Sequence, residues 1–131
     1  MDERKIAEML AVAREVRERA YAPYSKFAVG AAALGADGRI YAGANVENAS
    51  YGLSLCAERA ALAAAVAGGA RSVLAVVVVA DPPASPCGAC REVIAELGPQ
   101  AVVIWEDGRG GYVTRSAGDL LPERFRLRGS A

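Results

Sequence analysis

The chain has 131 residues, of which 53% are hydrophobic, and these values predict one folded domain spanning residues 1–131 and exclude a disordered chain. Lysine and arginine together number 15, as do aspartate and glutamate, so no net basic charge is present to attract a nucleic-acid partner. Because the charged N-terminus lacks a secretory segment and the longest apolar run, about ten residues, cannot span a bilayer, we expect a cytoplasmic protein without a membrane partner.

The first quarter of the chain predicts a helix followed by a hairpin. Apolar residues recur at helical spacing from Ile6 to Ala20, which predicts an amphipathic helix that ends before Pro23. Residues 27–34 and 39–44 predict two strands, and Asp37-Gly38 between them is typical of a tight turn. The two strands are therefore expected to pair in antiparallel fashion.

The next segment predicts a loop and a second helix. Residues 45–55 are polar and show no periodicity, which is typical of a loop that presents ligand-binding groups. Residues 56–67 predict a helix that Gly68-Gly69 ends, and beyond Arg59 this helix is apolar on nearly every side. Because a small domain covers only one face of such a helix, we expect other subunits to cover the rest.

The second half predicts a central strand, a helix and a closing hairpin. The continuous apolar run 73–80 is typical of a strand covered on both faces, and residues 88–97 predict a helix. Residues 101–105 and 112–115 predict strands that are antiparallel, because a five-residue turn cannot make a parallel crossover. We therefore predict an α/β fold, a three-layer α/β/α sandwich around a five-stranded mixed sheet.

All three cysteines of the chain lie in two short motifs. Cys56-Ala57-Glu58 is the first, Pro86-Cys87-Gly88-Ala89-Cys90 is the second, and the chain has no histidine. Three thiolates can hold one zinc ion and leave its fourth position open for water, as in catalytic sites. Glu58 is then placed to move the protons of that water, and the pattern is the three-cysteine form of the zinc-deaminase signature.

The predicted helices place the cysteines together. Cys87 and Cys90 lie three residues apart at the start of one helix, and Cys56 opens another, so two helix N-termini stabilise thiolates at one spot. Arg59 is expected either to bring positive charge to the sulfurs or to form an ion pair elsewhere. Three competing interpretations are unliganded buried cysteines, a CxxC redox pair and a zinc-stabilised binding module without activity.

At this point the chain resembles a known family, the homotetrameric cytidine deaminases that act on free nucleosides. The resemblance runs from about Tyr21 to Phe125, and its motifs are YSKFAVGAA at 24–32, NVENASYG at 45–52, CAER at 56–59, SPCGACR at 85–91 and LLPERF at 120–125. It implies that Cys56, Cys87 and Cys90 bind one zinc ion per subunit. It also implies that a zinc-bound hydroxide attacks C4 of cytosine while Glu58 shuttles protons.

The same resemblance implies a set of substrate contacts. Asn45 and Glu47 resemble the pair that binds the ribose hydroxyls, since an amide and a carboxylate can hold a diol through charge-assisted bonds. Phe27 resembles the aromatic residue that packs against the pyrimidine, and the backbone of Ala57 is expected near the edge of the base.

Two further residues and one departure bear on the assembly and the metal. Tyr51 and Phe125 resemble residues that reach the site of a neighbouring subunit, which implies a homotetramer. The family commonly has glutamine, a hydrogen-bond donor near the sulfurs, where this chain has Glu92. An ionised glutamate cannot donate, so Glu92 is expected to be protonated, paired with Arg59 or Arg91, or turned away.

The resemblance implies hydrolytic deamination of cytidine and 2′-deoxycytidine to uridine and 2′-deoxyuridine, a reaction of pyrimidine salvage. The alternative is a deaminase of a modified cytosine nucleoside of the blasticidin S type, which shares the zinc motifs. Asn45, Glu47 and Phe27 favour an unmodified ribose. A polynucleotide-editing deaminase is disfavoured by the neutral charge and by the antiparallel closing hairpin.

Overall fold

The structure, a computed structural model, describes residues 1–127 as a five-stranded sheet with helices on both faces. The elements in chain order are α1 (Glu3–Arg17), β1 (Val29–Gly35), β2 (Ile40–Ala44), α2 (Ala57–Ala67), β3 (Val73–Ala80), α3 (Gly88–Leu97), β4 (Val102–Glu106), β5 (Tyr112–Ser116) and α4 (Ala117–Leu120). A single 3₁₀ turn, Tyr51–Leu53, interrupts the loop between β2 and α2. Within residues 1–127, none of the helices has the length and apolar character needed to cross a membrane.

The sheet has the strand order β2-β1-β3-β4-β5, with β3 at its centre. The β3–β4 pair is parallel, and the other three pairs are antiparallel. The predicted mixed sheet and its antiparallel closing hairpin are thus confirmed. The central position of β3 explains why its sequence is almost continuously apolar, since both of its faces are covered.

Two hydrophobic cores lie on opposite faces of the sheet. One contains Met9 and Ala13 of α1 with alternate residues of β3, including Val77. The other contains Leu62 of α2 and Ile94 of α3 with β3 residues whose side chains point to the opposite face, including Val76. Because side chains alternate across a strand, the single run of β3 contributes to both cores. The structure therefore has the three layers that the sequence predicts.

Helix α1 ends three residues earlier than its apolar periodicity predicts. The side chain of Asp2 caps its start by accepting from the backbone N–H of Lys5 at 2.8 Å. Beyond Arg17 the chain leaves the helix because Tyr21 pairs with the polar loop: its N–H donates to the carbonyl of Asn45 at 2.9 Å, and its carbonyl accepts from Glu47 at 2.8 Å. These bonds hold residues 21–27 beside the loop that follows β2.

Helix α2 is only partly covered by its own chain. Glu58, Ala61 and Leu62 are buried against the sheet, while Ala63 and Ala67 are exposed. The helix thus presents an apolar face to solvent in the single chain. That other subunits cover this face stays a prediction.

Glycine at position 43 lets α2 lie directly on β2. A Cβ atom at Gly43 would come within 2.3 Å of the backbone nitrogen of Ala61 and 2.6 Å of the carbonyl oxygen of Ala57. Both are main-chain atoms, which cannot move aside as a flexible side chain can. The absence of a side chain at Gly43 therefore sets how close the first turns of α2 lie to the sheet.

We expect Gly43→Ala to lower the free energy of unfolding by about 1–3 kcal/mol, because the added methyl group overpacks this contact. Urea denaturation at equilibrium measures the change. Gly118→Ala is the matched control, since a Cβ at this exposed helical position has no neighbour closer than 4.0 Å. Equal stability of the Gly43→Ala variant and the wild type would contradict the close packing of α2 on β2.

Candidate metal centre and active site

Two helices begin at the same place, and each begins at a cysteine. Cys56 is the N-cap residue of α2, Cys87 is the N-cap residue of α3, and Cys90 lies in the first turn of α3. Both N-cap residues have extended backbone conformations, and neither side chain caps its own helix. The three sulfurs are therefore free to face one another, as the i, i+3 spacing of Cys87 and Cys90 predicts.

The distances between the sulfurs fit a zinc ion. Cys56 Sγ lies 3.9 Å from Cys87 Sγ, and Cys87 Sγ lies 3.6 Å from Cys90 Sγ. All three lie within 4.8 Å of one another. Zinc–sulfur bonds of the usual length in a tetrahedron would separate the sulfurs by about 3.8 Å. Within residues 1–127 the group contains these three ligands alone, which leaves one tetrahedral position open.

Positive charge and hydrogen bonds favour a thiolate at this centre. The Nη2 group of Arg59 donates to Cys56 Sγ at 3.3 Å, so Arg59 does contact a sulfur. The hydrogen bond from the Cys90 thiol, together with the bond from Arg59, lowers the pKa of Cys56 to about 5. The same bond to Cys56 raises the pKa of Cys90, and burial adds to the effect.

The carboxylate of Glu58 is buried beside this centre. Only 4% of the residue is exposed, and it lies in the first turn of α2, two residues after Cys56. Burial, and secondarily the negative charge of Cys56, raises the pKa of the Glu58 carboxyl. A buried carboxyl whose pKa is raised holds a proton more readily than an exposed one, which favours a general acid–base role.

A cavity of about 260 Å³ opens beside the sulfurs. Its walls include seven residues singled out from the sequence: Phe27, Asn45, Glu47, Cys56, Ala57, Glu58 and Cys87. Sequence reasoning did not find the remaining residues of the wall, which are Val29, Ser54, Leu55, Val78, Ala84 and Ser85. Val78 lies in an apolar strand and carried no distinguishing signal. Ser85 adjoins the second cysteine motif, which could have pointed to it.

Asn45 and Glu47 are both held in place by backbone groups. The Asn45 amide accepts from the N–H of Val29 at 2.8 Å and donates to the carbonyl of Phe27 at 2.9 Å. Glu47 Oε1 accepts from the N–H groups of Tyr24 at 3.0 Å and Ser25 at 3.1 Å. The Ser25 hydroxyl donates to Glu47 Oε2, and this bond is the main cause of the lowered pKa of the Glu47 carboxyl.

The remaining sequence-predicted residues lie outside this cavity. Tyr51 and Phe125 are 80% and 72% exposed, and neither lines the cavity. Glu92 is exposed and forms no hydrogen bond or ion pair with Arg59, Arg91 or a sulfur within residues 1–127. Two residues of helix rotate a side chain by about 200°, which puts Glu92 opposite Cys90. Of the three alternatives for Glu92, the structure corresponds to the one in which it is turned away from the sulfurs.

Comparison with known proteins identifies relatives along most of the chain. Residues 3–106 match the family described as the cytidine and deoxycytidylate deaminase zinc-binding region. The chain is 50% identical over 114 residues to the cytidine deaminase of Halalkalibacterium halodurans, across 85% of this chain and 86% of that protein. It is 47% identical over 123 residues to the cytidine deaminase of Sporosarcina psychrophila, across 92% of this chain and 90% of that protein.

Solved structures show the same fold. The crystal structure of cytidine deaminase from Burkholderia pseudomallei is 47% identical, with a TM-score of 0.85, and the match covers 95% of this chain and all of that chain. The structure of cytidine deaminase from Mycobacterium tuberculosis is 42% identical, with a TM-score of 0.81, covering 92% of this chain and 97% of that chain.

We expect one zinc ion per chain in the purified protein and a large loss of zinc in Cys87→Ala. Removing one of three thiolates weakens the site, and the variant should also unfold at lower temperature because metal binding is coupled to folding. Elemental analysis of dialysed protein, with thermal unfolding on the same samples, measures both effects. A Cys87→Ala protein that retains a full equivalent of zinc would contradict the three-sulfur centre.

Proposed function

The chain belongs to the cytidine and deoxycytidylate deaminase zinc-binding family, and on that premise we propose that it hydrolyses cytidine and 2′-deoxycytidine to uridine and 2′-deoxyuridine, releasing ammonia. One observation carries the proposal: the buried Glu58 lines one cavity with two of the three clustered cysteines, Cys56 and Cys87, and with the polar pair Asn45 and Glu47. Salvage of pyrimidine nucleosides is the physiological role that this reaction serves.

The three cysteines would hold the metal that the reaction needs. Zinc held by Cys56, Cys87 and Cys90 would supply a Lewis acid that activates a water molecule at the open position. Three thiolates make such a centre electron-rich, and this opposes ionisation of the water. The bond from Arg59 to Cys56 Sγ draws negative charge from one thiolate and offsets part of that effect.

Glu58 carries the protons of the reaction. It first accepts a proton from the attacking water and then delivers it to N3 of cytosine, so that C4 becomes more electrophilic as the new C–O bond forms. It next moves the second proton of the water to the departing amino group, which leaves as ammonia. The raised pKa of the buried carboxyl suits both directions of transfer.

Asn45 and Glu47 bind the sugar. Glu47 Oε1 already accepts two bonds and Oε2 accepts one, so the carboxylate has room for one hydroxyl donor. The Asn45 amide retains one N–H that can donate to the same hydroxyl. Because the pair offers one charge-assisted position, loss of the other ribose hydroxyl costs little, which supports both cytidine and 2′-deoxycytidine as substrates.

Phe27 and Ala57 hold the base. The ring of Phe27 lines the cavity and offers an apolar face on which the pyrimidine packs. Ala57 is fully buried at the start of α2, so its backbone lies at the inner end of the cavity, between Cys56 and Glu58. Together they orient C4 of the base toward the sulfurs.

We also propose a homotetramer whose sites are completed by neighbouring subunits. The exposed apolar face of α2 and the exposed rings of Tyr51 and Phe125 support this assembly. Light scattering of the wild type should give the mass of four chains. Ala63→Glu, which puts a charge on the exposed face of α2, should dissociate it, whereas Ala7→Glu on the exposed side of α1 should not. An active wild-type monomer would rule the assembly out.

We expect Glu58→Gln to lower kcat for cytidine by about 10²–10⁴-fold, because the amide cannot exchange protons. Loss of absorbance on conversion of cytidine, with uridine identified by chromatography, measures the rate. Zinc content and the urea midpoint should remain close to those of the wild type, which separates catalysis from folding.

Two results would contradict the proposal. Undiminished turnover by Glu58→Gln would remove Glu58 from the chemistry. A zinc-loaded, folded wild type that does not convert cytidine would exclude it as a substrate, and cytosine nucleosides with modified sugars would then be tested.

A further inference from the structure

The hydroxyl of Ser25 connects the two ends of the cavity. It donates to Glu47 Oε2, and it accepts a hydrogen bond from the N–H of Phe27 at 3.0 Å. One side chain thus bonds both to the carboxylate assigned to the sugar and to the backbone of the residue assigned to the base. We propose that Ser25 is a positioning residue that fixes Glu47 and Phe27 relative to each other for nucleoside binding. This inference rests on the proposed function of the site.

Ser25 supplies the bond to Glu47 that no backbone group replaces. Glu47 Oε1 has two backbone donors, whereas Oε2, the oxygen with room for a substrate hydroxyl, has the Ser25 hydroxyl as its one protein donor within residues 1–127. A carboxylate held by one oxygen can still rotate about its last bond. A donor on the second oxygen prevents this rotation and directs the remaining lone pair of Oε2 toward the cavity.

The turn that carries Ser25 is shaped to make both bonds. In this turn the backbone N–H of Lys26 donates to the carbonyl of Ala22 at 3.0 Å. Lys26 has a left-handed backbone conformation with φ +62°. This conformation is uncommon for a residue with a side chain and carries an energetic cost. It reverses the chain so that Ser25 Oγ meets the N–H of Phe27 two residues later, while Ser25 N–H and Oγ both reach Glu47.

The backbone of Glu47 is tied to the same segment. Its N–H donates to the carbonyl of Tyr21 at 2.8 Å, so both the main chain and the side chain of Glu47 take their position from residues 21–25. The sugar-binding carboxylate is therefore part of the segment that leads into Phe27. A shift of this segment would move the sugar and base contacts together.

The test compares variants of Ser25 on substrates with and without the 2′- and 3′-hydroxyls of the sugar. Ser25→Ala should lower kcat/KM for cytidine by about tenfold, the loss expected for one hydrogen bond to a charged group. The same variant should lose less activity on 2′,3′-dideoxycytidine, which lacks the 2′- and 3′-hydroxyls that would donate to Glu47. Ser25→Thr, which keeps the hydroxyl, should recover most of the activity on cytidine.

Ser72→Ala is the matched control, because Ser72 is exposed and lies outside the cavity. Calorimetric binding of uridine and 2′,3′-dideoxyuridine gives a second readout, in which Ser25→Ala should weaken the binding of uridine more, because the dideoxy compound depends on Phe27 but not on Glu47. Equal losses on cytidine and on 2′,3′-dideoxycytidine would show a merely structural role and overturn the inference. Unchanged kcat/KM for cytidine in Ser25→Ala would overturn it as well.

Failure of the proposed function gives a different result. In that case the wild type itself would not turn over cytidine, and there would be no wild-type kcat/KM with which to compare the variants. An active wild type that favours cytidine over 2′,3′-dideoxycytidine is therefore the condition under which the Ser25 variants decide the inference.

Discussion

The meeting of two helix N-termini at three sulfurs is the constraint on which the rest of the site depends. α2 starts at Cys56 and α3 starts at Cys87, so the positive ends of both helices point at the same small volume. That field, with the bond from Arg59, makes it possible to keep thiolates close together in a partly buried place. Because Glu58 follows Cys56 by two residues, the start of α2 also fixes where the carboxyl proposed to transfer protons lies.

The sheet brings the other half of the site to this point. β1 lies next to β3 at the centre of the sheet, and the segments that precede β1 and follow β2 meet beside the start of α2. The side chains of Asn45 and Glu47 are held by hydrogen bonds to the backbone of residues 24–29. Polar groups held in this way keep their orientation without substrate, and this reduces the ordering required on binding.

The metal centre and the sheet could be predicted from the sequence, because both depend on features that lie close together along the chain. The spacing of Cys87 and Cys90 and the helix-starting position of Cys56 are short-range features, so the metal centre followed from the pattern. The antiparallel pairing within each hairpin followed from turn lengths, and the central position of β3 followed from its apolar run. The apolar periodicity predicts an end of α1 that is three residues too late, because the hydrogen bonds of Tyr21 to a distant loop override it.

Other parts could not be predicted, because they depend on contacts between distant segments. The bond between Ser25 and Glu47 joins residues that a hairpin separates, and no periodicity marks it. Val78 lines the cavity, yet in sequence it looks like every other residue of β3. The exposed position of Glu92 was one of three alternatives, and choosing among them required the orientation of α3 relative to the sulfurs.

The most direct test of the central claim is zinc K-edge X-ray absorption of the purified, zinc-loaded protein. A catalytic site of three cysteines and a water should give three sulfur scatterers at about 2.3 Å and one oxygen scatterer at about 2.0 Å. Four sulfur scatterers would mean a closed structural site, and fewer than three would mean that the cysteines do not act as one centre. Either result would contradict a catalytic zinc site in this chain.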